Sequence, residues 1–433
     1  MTREARFIGA DRAQTRWDFI DLDGLLPIDH RARIVVKFVE RLNLSELYEA
    51  IRAREGEPGR PPPDPAVLMA LWLYATIEGV GSARELDRLV ERDLAYRWIA
   101  GGVPVNYHGL ADFRLAHTPL LDRLLTESVT ALVAEGIVSL DEIAIDGTKV
   151  RANASRHSFK TGSKLQQIGA AVEERLAALK VELEIDPEGS TRRKRAAQER
   201  AAREVKERAE RAWAALDQVR AERENRKKTH PQDEAKKSEP SVSVTDADAR
   251  TMRFADGSVH PAFNAQIAAS PRAGIIVSIE MSDRRNDAGL AAPMVEAIVR
   301  RYGKTPGRLL VDTHYVTIED IPRLADHPAG RVTVYAPPPT ERDDVKPATL
   351  AERRNKRARE PESVKEWRSR MQTEEGAKVY GSRKLIERIH AHLKNHGFGV
   401  LPVRGLTKSK AIALWHALAN NLLATHRLRH HVA

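Results

Sequence analysis

The chain has 433 residues, 42% of them hydrophobic and 30% charged, and 71 Lys+Arg against 61 Asp+Glu leave a formal net charge of +10. That length implies two or three domains rather than one core, and the basic surplus implies a polyanionic partner. Cysteine is absent, which excludes disulfides, thiolate zinc sites and cysteine nucleophiles and leaves carboxylate and imidazole as metal donors.

The opening stretch MTREARFIGADRAQTRW is charged and lacks the apolar run of a secretory signal. The longest apolar run, AVLMALWLYATI at 66–77, is too short to span a bilayer and reads as a buried helix. A soluble, cytoplasmic protein with no membrane association is expected. Residues 1–136 are helical in pattern. GRPPPDP at 59–65 is a rigid break before a helix that Asp64 caps and Pro65 opens. SARELDRLVERDLAYRWIAG begins a second helix at Ser82, with Glu85 completing a capping box, and a third starts near Leu110. Short helices with Arg and His on their exposed faces suit a helix-turn-helix-like DNA-binding domain, and equally a plain bundle.

Residues 137–163 turn to β. In SLDEIAIDGTKVRANAS, Ile143 and Ile145 alternate into Asp146 before a Gly turn. Four more strand candidates follow at 260–270, 273–282, 307–316 and 331–338, with a helix at 288–303. The fold class is α/β, a mixed sheet with flanking helices. The sheet is interrupted by a charged insertion with its linker, 164–240, after which 241–433 carries the remainder of the domain and the C-terminal helices. Leu165, Ile168, Val172, Leu176, Leu179 and Leu183 form one stripe, and Ala201, Val205, Ala209, Ala212, Leu216 and Val219 another. They predict an antiparallel helical hairpin broken at IDPEGST, with THPQDEAKKSEPS as a mobile return; a disordered charged insert is the alternative.

Asp146 and Asp312 each end a run of strand-forming apolar residues, EIAID and RLLVD. A carboxylate there is costly to desolvate without a compensating positive group. The segment 380–398 predicts one amphipathic helix. Leu385, Ile386, Ile389 and Leu393 face a core, while Tyr380, Arg383, Glu387 and Lys394 share the opposite face. Arg383 and Glu387 are spaced for a simple i, i+4 ion pair. Together with the two aspartates, Glu387 instead completes an all-oxygen set suited to Mg²⁺. Two such ions about 4 Å apart activate an attacking oxygen and stabilise the leaving oxygen of a phosphodiester.

Tyr380, Arg383, Glu387 and Lys394 match at every step the Tyr-Arg-Glu-Lys signature of a group of bacterial insertion-sequence DDE transposases, which the chain therefore resembles. IDGTKVRANAS resembles the segment around the first catalytic aspartate and LLVDTHYVT that around the second. VTDADARTM, FNAQIAAS and VRGLTKSKAIALWHALANNLLA are also similar to this family. The resemblance implies a ribonuclease-H-like catalytic core and Asp146, Asp312 and Glu387 as catalytic metal ligands for two Mg²⁺ ions, with Mn²⁺ able to substitute. It implies double-stranded DNA, as terminal repeats and target, for the partner of a nucleoid-associated homodimer. Tyr380, Arg383, Lys394, Lys149 and Arg404 are the candidate DNA contacts. The chain departs from the family pattern after the second aspartate, where Thr313 and His314 replace a small residue and Gly before Tyr315; an imidazole there would crowd or join the metal site. The remaining alternatives are a nuclease that cuts without joining and a DNA-binding protein that has lost catalysis. His390, His392 and His396 include an i, i+4 pair of zinc-binding spacing with no evident third ligand.

Overall fold

In the computed structural model, residues 21–52, 61–185, 192–229, 239–339 and 357–431 are described. Seven helices come first among the described residues: α1 Arg31–Val39, α2 Ser45–Glu49, α3 Pro65–Ile77, α4 Ala83–Arg92, α5 Leu94–Ala100, α6 Tyr107–Ala116 and α7 Thr118–Ala134. Asp64 caps α3 by accepting from Ala66 N at 2.8 Å, a contact worth about 1 kcal/mol. Every α3 residue from Leu68 to Ile77 is buried, as its uninterrupted apolar sequence requires. No described helix is long and apolar enough to cross a membrane.

Two predicted helices prove to be pairs. Asp93 ends α4 and caps α5, accepting from Ala95 N at 2.9 Å and Tyr96 N at 3.2 Å. A short carboxylate that bonds its own downstream amides stops one helix and starts the next. Similarly, Pro119 stands at the first turn of α7, where its missing N–H costs nothing, and so the chain breaks at His117.

The sheet contains β1 Glu142–Arg151, β4 Arg250–Arg253, β5 Val259–Ser270, β6 Ile275–Ser282, β7 Arg308–Leu310 and β8 Thr333–Tyr335. Its order is β4-β5-β1-β7-β8, with β6 also paired to β5. β5 runs antiparallel to both β1 and β6, whereas β7 pairs parallel with β1 and β8 parallel with β7. β7 is shorter than the expected 307–316, because the chain turns at Asp312, whose carbonyl accepts from Tyr315 N at 3.0 Å. Helix α10, Ala291–Tyr302, covers the crossover from β6 to β7, and α11, Asp320–Ala325, that from β7 to β8.

Two strands too short to show any period, β2 Phe159–Thr161 and β3 Ser241–Ser243, pair antiparallel at the root of the insertion. Between them lie α8 Gly162–Ile185 and α9 Arg192–Thr229. Gly162 abuts Leu216 and Arg220, and Glu173 pairs with Lys206 at 2.5 Å, so the two helices run antiparallel. Leu165, Ala212, Ala215, Leu216 and Val242 form a cluster separate from the main core. Val205 of the expected stripe is exposed. Most of IDPEGST and of the return segment lies outside the described residues.

The chain closes with α12 Glu362–Met371, α13 Glu374–Gly381, a 3₁₀ turn Ser382–Lys384, α14 Leu385–Asn395 and α15 Leu406–His431. The single helix expected over 380–398 is thus broken. Gly381 weakens it, and Ser382 Oγ donates to Glu142 Oε1 and to Val379 O, both at 2.9 Å, drawing the turn against β1. α15 lies between the N-terminal helices and the sheet. Trp415 donates to Arg114 O at 3.0 Å, and Asn421 both accepts from Ile276 N at 2.8 Å and donates to Ile276 O at 2.7 Å. One continuous core therefore runs from Leu26 to Ala424.

Candidate active site

Parallel pairing sets β1 against β7 in the register Glu142↔Arg308, Ile143↔Leu309 and Ala144↔Leu310. Two residues on from Ala144 and Leu310 come Asp146, still on β1, and Asp312, past the end of β7, near enough for the Asp312 charge to act on Asp146. Asp146 is half-buried, whereas Asp312 is exposed just beyond β7. The Asp312 carboxylate accepts from Thr313 N at 2.7 Å, and that of Asp146 from Gly147 N at 3.0 Å.

α14 packs across β1 with Ile386, Ile389 and Leu393 buried. Arg383, in the turn before it, places Nη2 3.0 Å from Asp146 Oδ1, and His390 Nδ1 lies 3.9 Å from Asp146 Oδ2. Burial, reinforced by the charges of Lys394 and Arg383, pushes the His390 imidazole down to about 4. It is therefore neutral at pH 7 and forms no ion pair with Asp146. Burial pushes the Asp146 carboxyl up to about 6 in spite of the guanidinium, with Asp287 and Asp312 adding to the rise. Burial raises the Tyr380 phenol, with both aspartates adding to the rise and Arg383 opposing it.

Glu387 follows Arg383 by four residues and precedes His390 by three, so it sits on the side of α14 from which both neighbours reach Asp146. It is exposed and has no ion pair among the described residues, since Arg383 has gone to Asp146. The simple helical pair is not formed. Among the other expected contacts, Lys149 donates to Arg253 O at 2.6 Å and Arg404 to Asn153 O at 3.3 Å, so both hold backbone carbonyls away from the aspartates. Lys394 is exposed one turn beyond His390, and His314 is exposed beside Asp312. His392 stacks edge-on with His396 at 4.3 Å, and His396 Nδ1 contacts Ile77 O. The three histidines thus turn to different neighbours.

Asp287 is the site residue that sequence reasoning missed. Its Oδ1 accepts from Asn264 Nδ2 at 2.7 Å and from Gln266 Nε2 at 2.8 Å, two amides on β5. A Cβ at Gly147 would collide with that same oxygen, so the glycine after Asp146 admits the carboxylate to the strand. No periodicity marks a loop aspartate, and its only sequence signal is the polar pair Asn264 and Gln266 within an otherwise apolar strand.

Among the described residues no three His, Asp or Glu side chains are gathered closely enough to hold a metal ion. The donors at hand are nevertheless of the right chemistry: hard oxygen ligands from separate elements are what Mg²⁺ takes while keeping several waters. Around them Arg383 Nε, Tyr315 Oη, His390 Nε2 and Gln266 Oε1 are buried with no hydrogen-bond partner. Buried polar atoms of that kind call for water or ligand.

Residues 238–423 match the family model described as Transposase DDE domain, and residues 20–115 match that described as Transposase domain (DUF772). The chain belongs to the insertion-sequence DDE transposases. The DDE match takes in Asp312 and Glu387 and starts after the helical insertion that separates Asp146 from them. No curated protein and no solved structure matches.

Proposed function

We propose that the protein binds the ends of an insertion sequence and carries out divalent-metal-dependent DNA cleavage and strand transfer with Asp146, Asp312 and Glu387. The observation that carries this reading is the parallel pairing of β1 with β7, which brings Asp146 near Asp312 just past the strand end, with the helix that bears Glu387 packed across β1. The order β6-β5-β1-β7-β8, antiparallel then parallel, supports a ribonuclease-H-like catalytic core. The helices of 1–136 are read as the DNA-binding domain, and a homodimer on DNA as the working form.

Asp146, Asp312 and Glu387 would hold Mg²⁺ or Mn²⁺, which when bound activates the attacking water or 3′-hydroxyl and stabilises the leaving oxygen. At pH 7–8 Asp146 is ionised and balanced by Arg383. The guanidinium and its unpartnered Nε are suited to a phosphate in bidentate fashion, and Tyr380 and Lys394 flank the same helix face. Asp287, fixed by two amides, holds β5 and the turn before α10 against Gly147, which keeps Asp146 in register. His390, neutral and packed beside Asp146, excludes water without adding charge.

A strand-transfer assay with Mg²⁺ and DNA carrying the element's own ends tests the reading. Joining supports it, cutting alone points to a nuclease, and binding alone points to a DNA-binding protein without catalysis. That last reading draws on the Arg383 contact with Asp146.

A further inference from the structure

The opposite flank of α14 lines a cavity of about 300 Å³ formed with the β5–β6 turn and the end of α15. Arg272 and Gly274 come from the turn, Arg388 and His392 from α14, and Asn420 and Arg427 from α15. Three guanidiniums from three segments converge there, and no acidic side chain lines the cavity. Arg388 and Arg427 make no hydrogen bond or ion pair among the described residues, and Arg272 makes only a 3.8 Å contact to Glu142. Arg427 also lines the cavity beside His392, whose imidazole is lowered first by burial and further by the Arg427 charge. Uncompensated positive charge in a concave site is the electrostatic form of an anion receptor.

We infer that this cavity binds a backbone phosphate of the DNA strand that runs to Asp146, an inference that rests on the transposase reading. The spacing supports a strand over a free ion. Arg272 borders Glu142, which precedes Asp146 by four residues on β1, or about 13 Å at the rise of a strand. DNA advances about 3.4 Å per nucleotide, so a phosphate in the cavity lies about four nucleotides from the one at the carboxylates. Through α14 the two positions share one rigid element: Glu387 and Arg388 are consecutive.

The test uses the full-length protein and element-end DNA carrying a single neutral methylphosphonate, moved one phosphate at a time. Wild type should lose about tenfold in binding at one phosphate three to five nucleotides from the cleavage position. Arg388→Ala/Arg427→Ala should bind unmodified DNA with a salt slope lower by about one unit and show no sensitivity at that phosphate. Arg388→Lys/Arg427→Lys, which keeps the charge, should restore the slope, and Arg427→Ala alone should lose less than the pair. Wild-type and Ala-pair slopes that coincide, or no interference near that position, overturn the inference. So does inorganic pyrophosphate binding that the Ala pair abolishes while DNA affinity is untouched, since the site would then take free phosphate. Cleavage without interference sinks the cavity and leaves the transposase reading standing. Interference without cleavage does the reverse.

Discussion

Arg383, in the turn before α14, rests its guanidinium on Asp146 at 3.0 Å and leaves Glu387, four residues on, without an ion pair among the described residues. An exposed i, i+4 pair with Glu387 would be worth only a few tenths of a kcal/mol. A shielded carboxylate that would otherwise stand alone gains far more from the same cation. The outcome leaves Glu387 exposed on α14.

Glu387→Gln keeps size and helix propensity but removes the charge a hard cation needs. DNA cleavage should fall by more than the roughly 10–100-fold typical of losing an outer-shell partner, with DNA binding retained. Parallel cleavage and gel-shift assays check this. Normal cleavage in that variant would remove Glu387 from the metal set.

Asp146 sets a pH dependence of stability. Its folded value of about 6 lies above the ordinary 3.8, so the folded state binds the proton more tightly than the unfolded chain. The stabilisation is complete below pH 4 and lost as pH rises through 6, a swing of roughly 3 kcal/mol. Asp146→Asn, neutral throughout, should melt higher than wild type at pH 7–8 and level with it near pH 4. Thermal scans across that range, with and without Mg²⁺, would show the wild type alone gaining from the metal.

The Gly147 and Asp287 contact predicts coupling. Gly147→Ala forces the Asp287 carboxylate away from its two amides, at a cost of about 1–3 kcal/mol. In an Asp287→Ala background the added methyl meets no carboxylate, so the same substitution should cost at least about 1 kcal/mol less. Denaturant titration of the four proteins measures the cycle, and additivity would show that the two residues do not touch.

Replacing residues 164–238 with a short Gly/Ser linker should leave the sheet and its helices folding as one cooperative unit, because α8 and α9 pack on their own cluster. The change in DNA affinity then reports what the helices grip. Loss of a single cooperative transition would show that they support the main core.

β1, β5 and β6 were legible because alternation and apolar runs persist over eight or more residues. So was α3, whose start is marked by Asp64 and Pro65. β2, β3 and β4 were not, being three or four residues long and set by partners far along the chain. Asp146 and Asp312 could be picked out as acids after apolar strand-forming runs, whereas their proximity depends on parallel pairing that no local pattern encodes. Asp287 depends on a contact across the sheet. The break at Gly381 and Ser382 was hidden by an apolar stripe that continues into α14.

The two-stranded clasp of β2 and β3 also bears on how the chain finds its fold. β1 must pair with β5 across residues 152–258, a long closure for a sheet. A helical pair that folds on local contacts and brings its own ends together at the clasp shortens the effective loop about fourfold. By the logarithmic law of loop closure this saves about 1 kcal/mol of chain entropy, and it lets the two strands that frame Asp146 meet as though they were near neighbours in sequence.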